Sequence, residues 1–339
     1  MNIVVLDGYT LNPGDLSWDA LKALGNCTIH ERTPADQIIP RLADAEIAIT
    51  NKVPFSKETL AALPKLRFIG VTATGFNIID AAAAKERQVI VANVPLYGTR
   101  SVAQHTFALL LELTQHAGHH AQTVRDGRWV KSIDWCYNDH PLIELDGLTM
   151  GIVGYGRIGR EVARRAQAFG VRVIAASRTP PPPDPWCDRC FGMDRLAELL
   201  AVADFVLMAL PLNAASRGLI DRTAFASMKP DAVIINVGRG ATIDEQALFE
   251  ACRDRRIGGA IIDTWYRYPE QGSVEIPQAR PSTCPFHELD NVVMTPHGSA
   301  WSEALAGRRC RVMAQNLDRL FRGEPLINIV RAPLVAAPA

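Results

Sequence analysis

Short β-rich runs alternate with helix-patterned runs along almost the whole chain, and they do so in two series. The first series has strand candidates at 2–6, 27–30, 46–50, 67–71 and 89–91, with helical spacing at 14–25, 34–43, 56–63 and 78–86. The second has strand candidates at 149–153, 171–176, 205–209, 232–236, 259–262 and 292–294. A strand rejoins a parallel neighbour only through a crossover long enough to hold a helix, so this alternation predicts parallel sheets covered by helices. The expected fold class is α/β, with two doubly wound parallel-sheet domains, and 339 residues are enough for two cores. Between the series, 99–126 reads as one long amphipathic helix that starts near Thr99–Ser101 and stops at Asp126-Gly127. A loop over 127–147 follows it. A last helix is expected over 301–322, ended by Gly323–Pro325, and Pro180–Pro183 with Pro185 reads as a stiff surface loop.

Charge excludes some partners. Lysine plus arginine equals aspartate plus glutamate, 36 against 36, so nothing electrostatic favours nucleic acid or an anionic membrane surface. Apolar runs such as 102–113 are too short to span a bilayer, and the start, Met1–Thr10, reads as a strand and turn rather than a secretory signal. Seven cysteines without regular spacing fit a reducing cytoplasm.

The sharpest motif is Gly154-Tyr155-Gly156-Arg157-Ile158-Gly159. Alone the spacing is weak. Here it follows the strand Leu148–Val153 and opens a helix over 160–169 that Gly170 ends before another strand, which is the context a dinucleotide site needs. Gly154 permits the tight turn, Gly156 lets a pyrophosphate approach the backbone, and Gly159 lets helix and strand pack closely. At the end of the next strand an acidic residue would bind the ribose hydroxyls of NAD. The chain instead has Ser177-Arg178-Thr179, and a guanidinium suits a 2′-phosphate. The cofactor expectation is NADP(H) preferred, with NAD(H) possible.

Three later segments each follow an apolar strand: Asn236-Val237-Gly238-Arg239-Gly240, Asp263-Thr264-Trp265 and Thr295-Pro296-His297-Gly298-Ser299. Together with the glycine motif, with Val71–Asp80, Asn93-Val94-Pro95, Ser101–Leu110, Pro211-Leu212 and Arg217–Ile220, they make the chain resemble the D-isomer-specific 2-hydroxyacid dehydrogenases over nearly its full length. The resemblance is to their glycerate dehydrogenase/hydroxypyruvate (glyoxylate) reductase branch. It implies a Rossmann-type nucleotide domain, about 100–298, inserted into a flavodoxin-like substrate domain formed by 1–99 and 299–330. It also implies hydride transfer between a nicotinamide and a small 2-oxo/2-hydroxy acid, in a homodimer. In that reading Arg239 holds the substrate's carboxylate and keto oxygen, and His297 is the acid/base, with a pKa near neutrality suiting both directions. Backbone amides at Thr74 and Gly75 bind the carboxylate, and Lys52 adds charge. The cofactor contacts are Val102, Gly154, Tyr155, Gly156, Arg157, Ile158, Gly159, Ser177, Arg178, Pro211, Val237, Gly238, Asp263 and His297.

One position departs from the family pattern. A glutamate is usual five residues after the aspartate of the third segment, where it supports the catalytic histidine; here Tyr268 stands there. A phenol can orient an imidazole but brings no negative charge near neutral pH, which should lower the histidine's pKa. Glu270 is an alternative partner. The departure leaves two further readings open: a dinucleotide-sensing binding protein on the same fold, and a formate dehydrogenase-like enzyme. Cys187-Asp-Arg-Cys190 lacks a second pair, and His116, His119 and His120 lack acidic or thiol partners in sequence, so no metal is expected.

Overall fold

The computed structural model describes residues 1–12, 17–179, 181–269, 280–301 and 303–330, the side chains of 303–306 excepted. Its contacts divide the chain into two units. One contains Met1–Tyr97, Pro269 and the residues from Trp301 onward; the other contains Gly98–Tyr268 and Arg280–Ala300.

The first unit is built on β1 (Asn2–Val5), β2 (Asn26–Ile29), β3 (Ile47–Thr50), β4 (Phe68–Val71) and β5 (Ile90–Asn93). They form one sheet in the order β2-β1-β3-β4-β5 with every pair parallel. Alternate residues of these strands feed two cores. Val4, Ala48 and Ile69 pack with Leu42, Leu60 and Ala83, while Ile3, Ile47 and Phe68 pack with Met313 and Leu317. The connecting helices are α1 (Asp19–Lys22), α2 (Ile38–Leu42), α3 (Lys57–Ala61) and α4 (Ala81–Glu86). They are shorter than the apolar spacing predicts. The 78–86 pattern becomes helical only at Ala81 because the Asp80 carboxylate caps the Ala83 amide at 2.9 Å. Of the expected 14–25 helix only α1 forms among the described residues.

The second unit begins with α5 (Thr99–Gln115) and α6 (Ala117–Arg125). The single helix expected over 99–126 is therefore broken. His116 adopts φ 48°, a left-handed conformation that ends α5 and redirects the chain. The sheet comprises β6 (Thr149–Val153), β7 (Arg172–Ser177), β8 (Arg189–Gly192), β9 (Phe205–Met208), β10 (Val233–Asn236), β11 (Gly259–Ile262) and β12 (Val292–Met294). Its order is β12-β11-β10-β9-β6-β7-β8, again all parallel. Seven strands replace the expected six. The additional β8 is a four-residue edge strand, Arg-Cys-Phe-Gly, whose only fully buried side chain is Phe191, so it carries too little apolar pattern to be read in advance. Central strands β9, β10 and β11 are buried at every position, as expected for a sheet covered on both faces. The helices between strands are α7 (Arg157–Ala166), α8 (Leu196–Val202), α9 (Arg222–Ser227) and α10 (Glu245–Arg253).

The chain closes the first unit with α11 (Glu303–Arg322). Gly70 of β4 makes that packing possible: a Cβ there would lie 2.3 Å from the Met313 sulfur.

Candidate active site

Apart from Val102, which lies on α5, the nucleotide-side segments singled out in the second unit emerge at the carboxyl end of a parallel strand. Gly154 follows β6, Ser177 ends β7, Pro211 follows β9, Val237–Arg239 follow β10, Asp263 follows β11 and His297 follows β12. β6 has β7 on one side and β9 on the other, so the sheet order reverses at the glycine turn. Ligands of open α/β sheets bind at such a switch point.

The glycine turn has the shape a pyrophosphate requires. Gly154 sits at φ 103°, and a Cβ on it would lie 2.7 Å from the Ala209 carbonyl oxygen. A Cβ on Gly159 would meet the Gly154 carbonyl oxygen at 2.6 Å, whereas one on Gly156 would meet nothing within 4 Å. Two glycines thus serve close packing and the third faces open space. Gly156 is also the N-cap of α7 and offers no side-chain acceptor to its first amides, which leaves the positive end of the helix for an anion. These residues fit a dinucleotide. Tyr155 does so only through its backbone, because its ring is buried in the core with Val162 and Val173. Val102 belongs to that same core. Arg157, Arg178 and Pro211 are exposed, Ile158 and Ser177 half-buried, and Val237 buried.

Arg239 is held from behind by Asn236. The Asn236 amide donates to the Arg239 carbonyl at 3.0 Å and its oxygen accepts from the Gly238 amide at 3.1 Å, while Thr242 Oγ1 donates to the same Arg239 carbonyl at 2.7 Å. The guanidinium is exposed, with Nη1 donating to the Gly238 carbonyl at 2.7 Å. A Cβ on Gly238 would lie 3.0 Å from the Met208 carbonyl, so this turn lies tight against the end of β9.

His297 has φ 58°, a conformation that costs a side-chain-bearing residue roughly 1–2 kcal/mol. A fully buried carboxylate holds the loop in place. Asp263 Oδ1 accepts from Thr295 Oγ1 and from the Gly298 amide, both at 2.7 Å, and Oδ2 accepts from the Ser299 amide at 3.1 Å. His105, on α5, places Nε2 3.6 Å from the same carboxylate and 3.4 Å from Thr295 Oγ1. The expectation for Asp263 was a nicotinamide contact; all three of these bonds instead go to the segment that carries His297.

Tyr268 takes the place expected for a glutamate in space as well as in sequence. Its hydroxyl lies 2.8 Å from His297 Nδ1 and accepts from the Trp265 amide at 2.9 Å. The Trp265 indole in turn donates to the Thr295 carbonyl at 2.9 Å. Partial burial raises the phenol's pKa above its ordinary value, against opposing pulls from the Trp265 amide and the charge of Arg239, so the hydroxyl keeps its proton across the working pH range. Glu270, the alternative partner, lies outside the described residues. Asn236, Thr295, Trp265 and His105 carry the site's geometry without having been singled out for it, since each acts through a backbone or neighbour bond that leaves no mark on residue spacing.

In the first unit, Lys52 is exposed and its amide donates to Asp7 Oδ2 at 2.6 Å; Asp7 also accepts from the Asn51 amide at 2.8 Å. Burial raises the Asp7 pKa, and the bonds from Asn51 and Lys52 work against that rise. Thr74 is exposed and Gly75 half-buried; the Thr74 carbonyl accepts from Asn93 Nδ2 at 2.8 Å. The histidines of the α5–α6 corner pack with one another and with a fourth: His116 and His119 lie 4.4 and 5.1 Å from the His140 ring, and His119 bonds Asp139 at 2.7 Å. Among the described residues no three such side chains converge as a metal site would require.

Comparison with known proteins identifies the family. The profile of the D-isomer specific 2-hydroxyacid dehydrogenase NAD binding domain matches residues 107–299. A hydroxypyruvate reductase of Blautia hydrogenotrophica is 40% identical over 335 residues, covering 97% of this chain and 99% of its own. A glycerate dehydrogenase of Methylorubrum extorquens is 33% identical, over 88% of this chain and 89% of its own. Among solved structures, the NADPH-dependent glyoxylate/hydroxypyruvate reductase of Sinorhizobium meliloti, in complex with NADP and malonate, superposes with a TM-score of 0.77 at 26% identity, covering 97% of this chain and 96% of that one. The chain belongs to the D-isomer specific 2-hydroxyacid dehydrogenase family and is a nicotinamide-dependent oxidoreductase of small 2-hydroxy and 2-oxo acids.

Proposed function

We propose that this chain reduces glyoxylate- or hydroxypyruvate-like 2-oxo acids, with His297 as the proton donor and Arg239 as the anchor of the acid. The observation that carries the reading is His297 itself, set on left-handed backbone by the buried Asp263 and bonded to Tyr268. Bound nicotinamide supplies the hydride. Arg239 orients the acid through a planar pair of donors, and His297 delivers the proton to the developing alkoxide. Lys52, Thr74 and Gly75 are the first unit's candidates for holding the substrate carboxylate. The test is loss of reduced-nicotinamide absorbance with NADPH or NADH across a panel of 2-oxo acids; failure to consume either coenzyme with any acid overturns the reading.

NADPH is the preferred coenzyme in this proposal. Arg178 is exposed directly after β7, where a 2′-phosphate would lie, and the Sinorhizobium meliloti relative is named as NADPH-dependent. Arg178→Ala is expected to lower kcat/KM for NADPH about tenfold, the worth of a charged hydrogen bond, and to leave NADH nearly unchanged. An unaltered coenzyme ratio refutes the assignment.

The functional form is a homodimer in the cytoplasm. Among the described residues no two cysteines are joined by a disulfide, which suits a reducing compartment. The stretch between α6 and β6 exposes Val130 at 86%, Ile133 at 100% and Trp135 at 86%, with Trp129 and Leu142 also exposed. Such a run of apolar side chains on one segment is what a second copy would cover. Ile133→Asp with Trp135→Ser is expected to halve the mass seen by sedimentation at micromolar concentration; a wild-type chain that sediments as a monomer removes the dimer from the reading.

A further inference from the structure

We infer that Tyr268 fixes the tautomer of His297, placing the imidazole proton on Nε2 in the resting enzyme and so biasing the site against alcohol oxidation. The inference rests on the proposed role of His297 and concerns where its proton sits.

Three contacts determine the arrangement. The Tyr268 oxygen accepts from the Trp265 amide at 2.9 Å. Among the described residues its other hydrogen-bond partner is His297 Nδ1 at 2.8 Å. A phenol has one proton to donate, and an oxygen already engaged by an amide hydrogen directs that proton to its other neighbour. The Trp265 ring, tied to the Thr295 carbonyl at 2.9 Å, keeps the anchoring amide next to the His297 loop. Nδ1 is therefore an acceptor, and neutral imidazole then carries its proton on Nε2. Among the described residues of this unit, Asp263, His105 and Arg239 do not reverse the assignment. Asp263 directs its oxygens to Thr295, Gly298 and Ser299, His105 faces Asp263 and Thr295, and Arg239 acts on the phenol as a cation.

The consequence follows from the proton balance of the reaction. Reduction starts from the imidazolium, with a proton on each ring nitrogen, and the hydride's electron pair forms the new C–H bond. The carbonyl π pair moves to oxygen and takes the Nε2 proton, and the Nε2–H bond pair stays on the ring. The product imidazole then bears its proton on Nδ1. Oxidation is the reverse and must start from that same form, with Nε2 bare. A carboxylate partner accepts only, so it stabilises both the Nδ1–H form and the cation. The phenol, donating, stabilises the Nε2–H form relative to both. Two effects arise from one bond: the cation that reduction requires is confined to lower pH, and the base that oxidation requires is a minor tautomer.

The decisive measurement is the nitrogen-15 shift pattern of histidine-labelled protein without substrate, well above neutral pH, with the His297 signal identified by its loss in His297→Asn. The expected pattern is a protonated Nε2 and a bare Nδ1. In Tyr268→Phe the two tautomers should mix, and in Tyr268→Glu the proton should move to Nδ1. Kinetically, Tyr268→Glu should raise the high-pH plateau for 2-hydroxy acid oxidation by about tenfold and extend reduction to higher pH. A wild-type spectrum with the proton on Nδ1 overturns the inference even if the enzyme turns over 2-oxo acids. Nε2 protonation in a chain that reduces none of them sustains the inference and discards the proposed catalytic role. Should either variant fold poorly, the wild-type spectrum alone still decides.

Discussion

His297→Asn is expected to lower turnover of the best 2-oxo acid by about 10²–10⁴-fold, the usual worth of a positioned general acid, while coenzyme affinity changes little. Asparagine is chosen on structural grounds. Position 297 sits at φ 58°, where asparagine is among the best-tolerated side-chain-bearing residues, whereas alanine would add backbone strain to the chemical loss. The loop bonds to Asp263 come from Thr295, Gly298 and Ser299, so they survive the substitution. The thermal midpoint should therefore stay near wild type, which separates loss of a proton donor from loss of fold. Coenzyme binding followed by fluorescence should give a dissociation constant within a fewfold of wild type. Turnover within tenfold of wild type would remove His297 from the reaction.

Both sheets were legible because most of their strands are buried and apolar, and the glycine turn because two of its glycines meet close contacts and the third leaves open space at the start of a helix. β8 was not, since an edge strand of four residues with an arginine and a glycine carries no periodic signal. The break at His116 was equally hidden: a left-handed histidine leaves the apolar spacing on either side intact, so 99–126 reads as continuous. The same limit applied within the site. Residue types at strand ends pointed to Arg239, Asp263 and His297. That Asp263 binds the loop of His297 depends on backbone amides at Gly298 and Ser299, and every residue has such an amide. Tyr268 stood out as a departure from a family pattern. Its direction of donation became readable only once the Trp265 amide was placed on its oxygen.

Asp263→Ala is expected to lower kcat by about 10²-fold with little change in KM for coenzyme, and to destabilise the fold measurably. The argument starts from its burial. The side chain is fully buried and accepts one hydroxyl and two amide hydrogens, all from the segment Thr295–Ser299. Removing it leaves those donors in a site closed to bulk water, and a single buried unsatisfied group costs about 1–3 kcal/mol. The loop can relieve that cost only by moving, and the strain at His297 favours the same movement. A displacement of the acid by about 1 Å is enough for a 10²-fold loss. Asp263→Asn should fall between the two, because one oxygen can keep the two 2.7 Å bonds while its amide opposes the Ser299 N–H. The competing role, a direct nicotinamide contact, predicts a different division of the loss, with KM for coenzyme rising and kcat and thermal midpoint largely kept. Steady-state kinetics with coenzyme varied, together with a melting curve, distinguish the two. A selective rise in coenzyme KM would show that Asp263 serves the nicotinamide rather than the histidine loop.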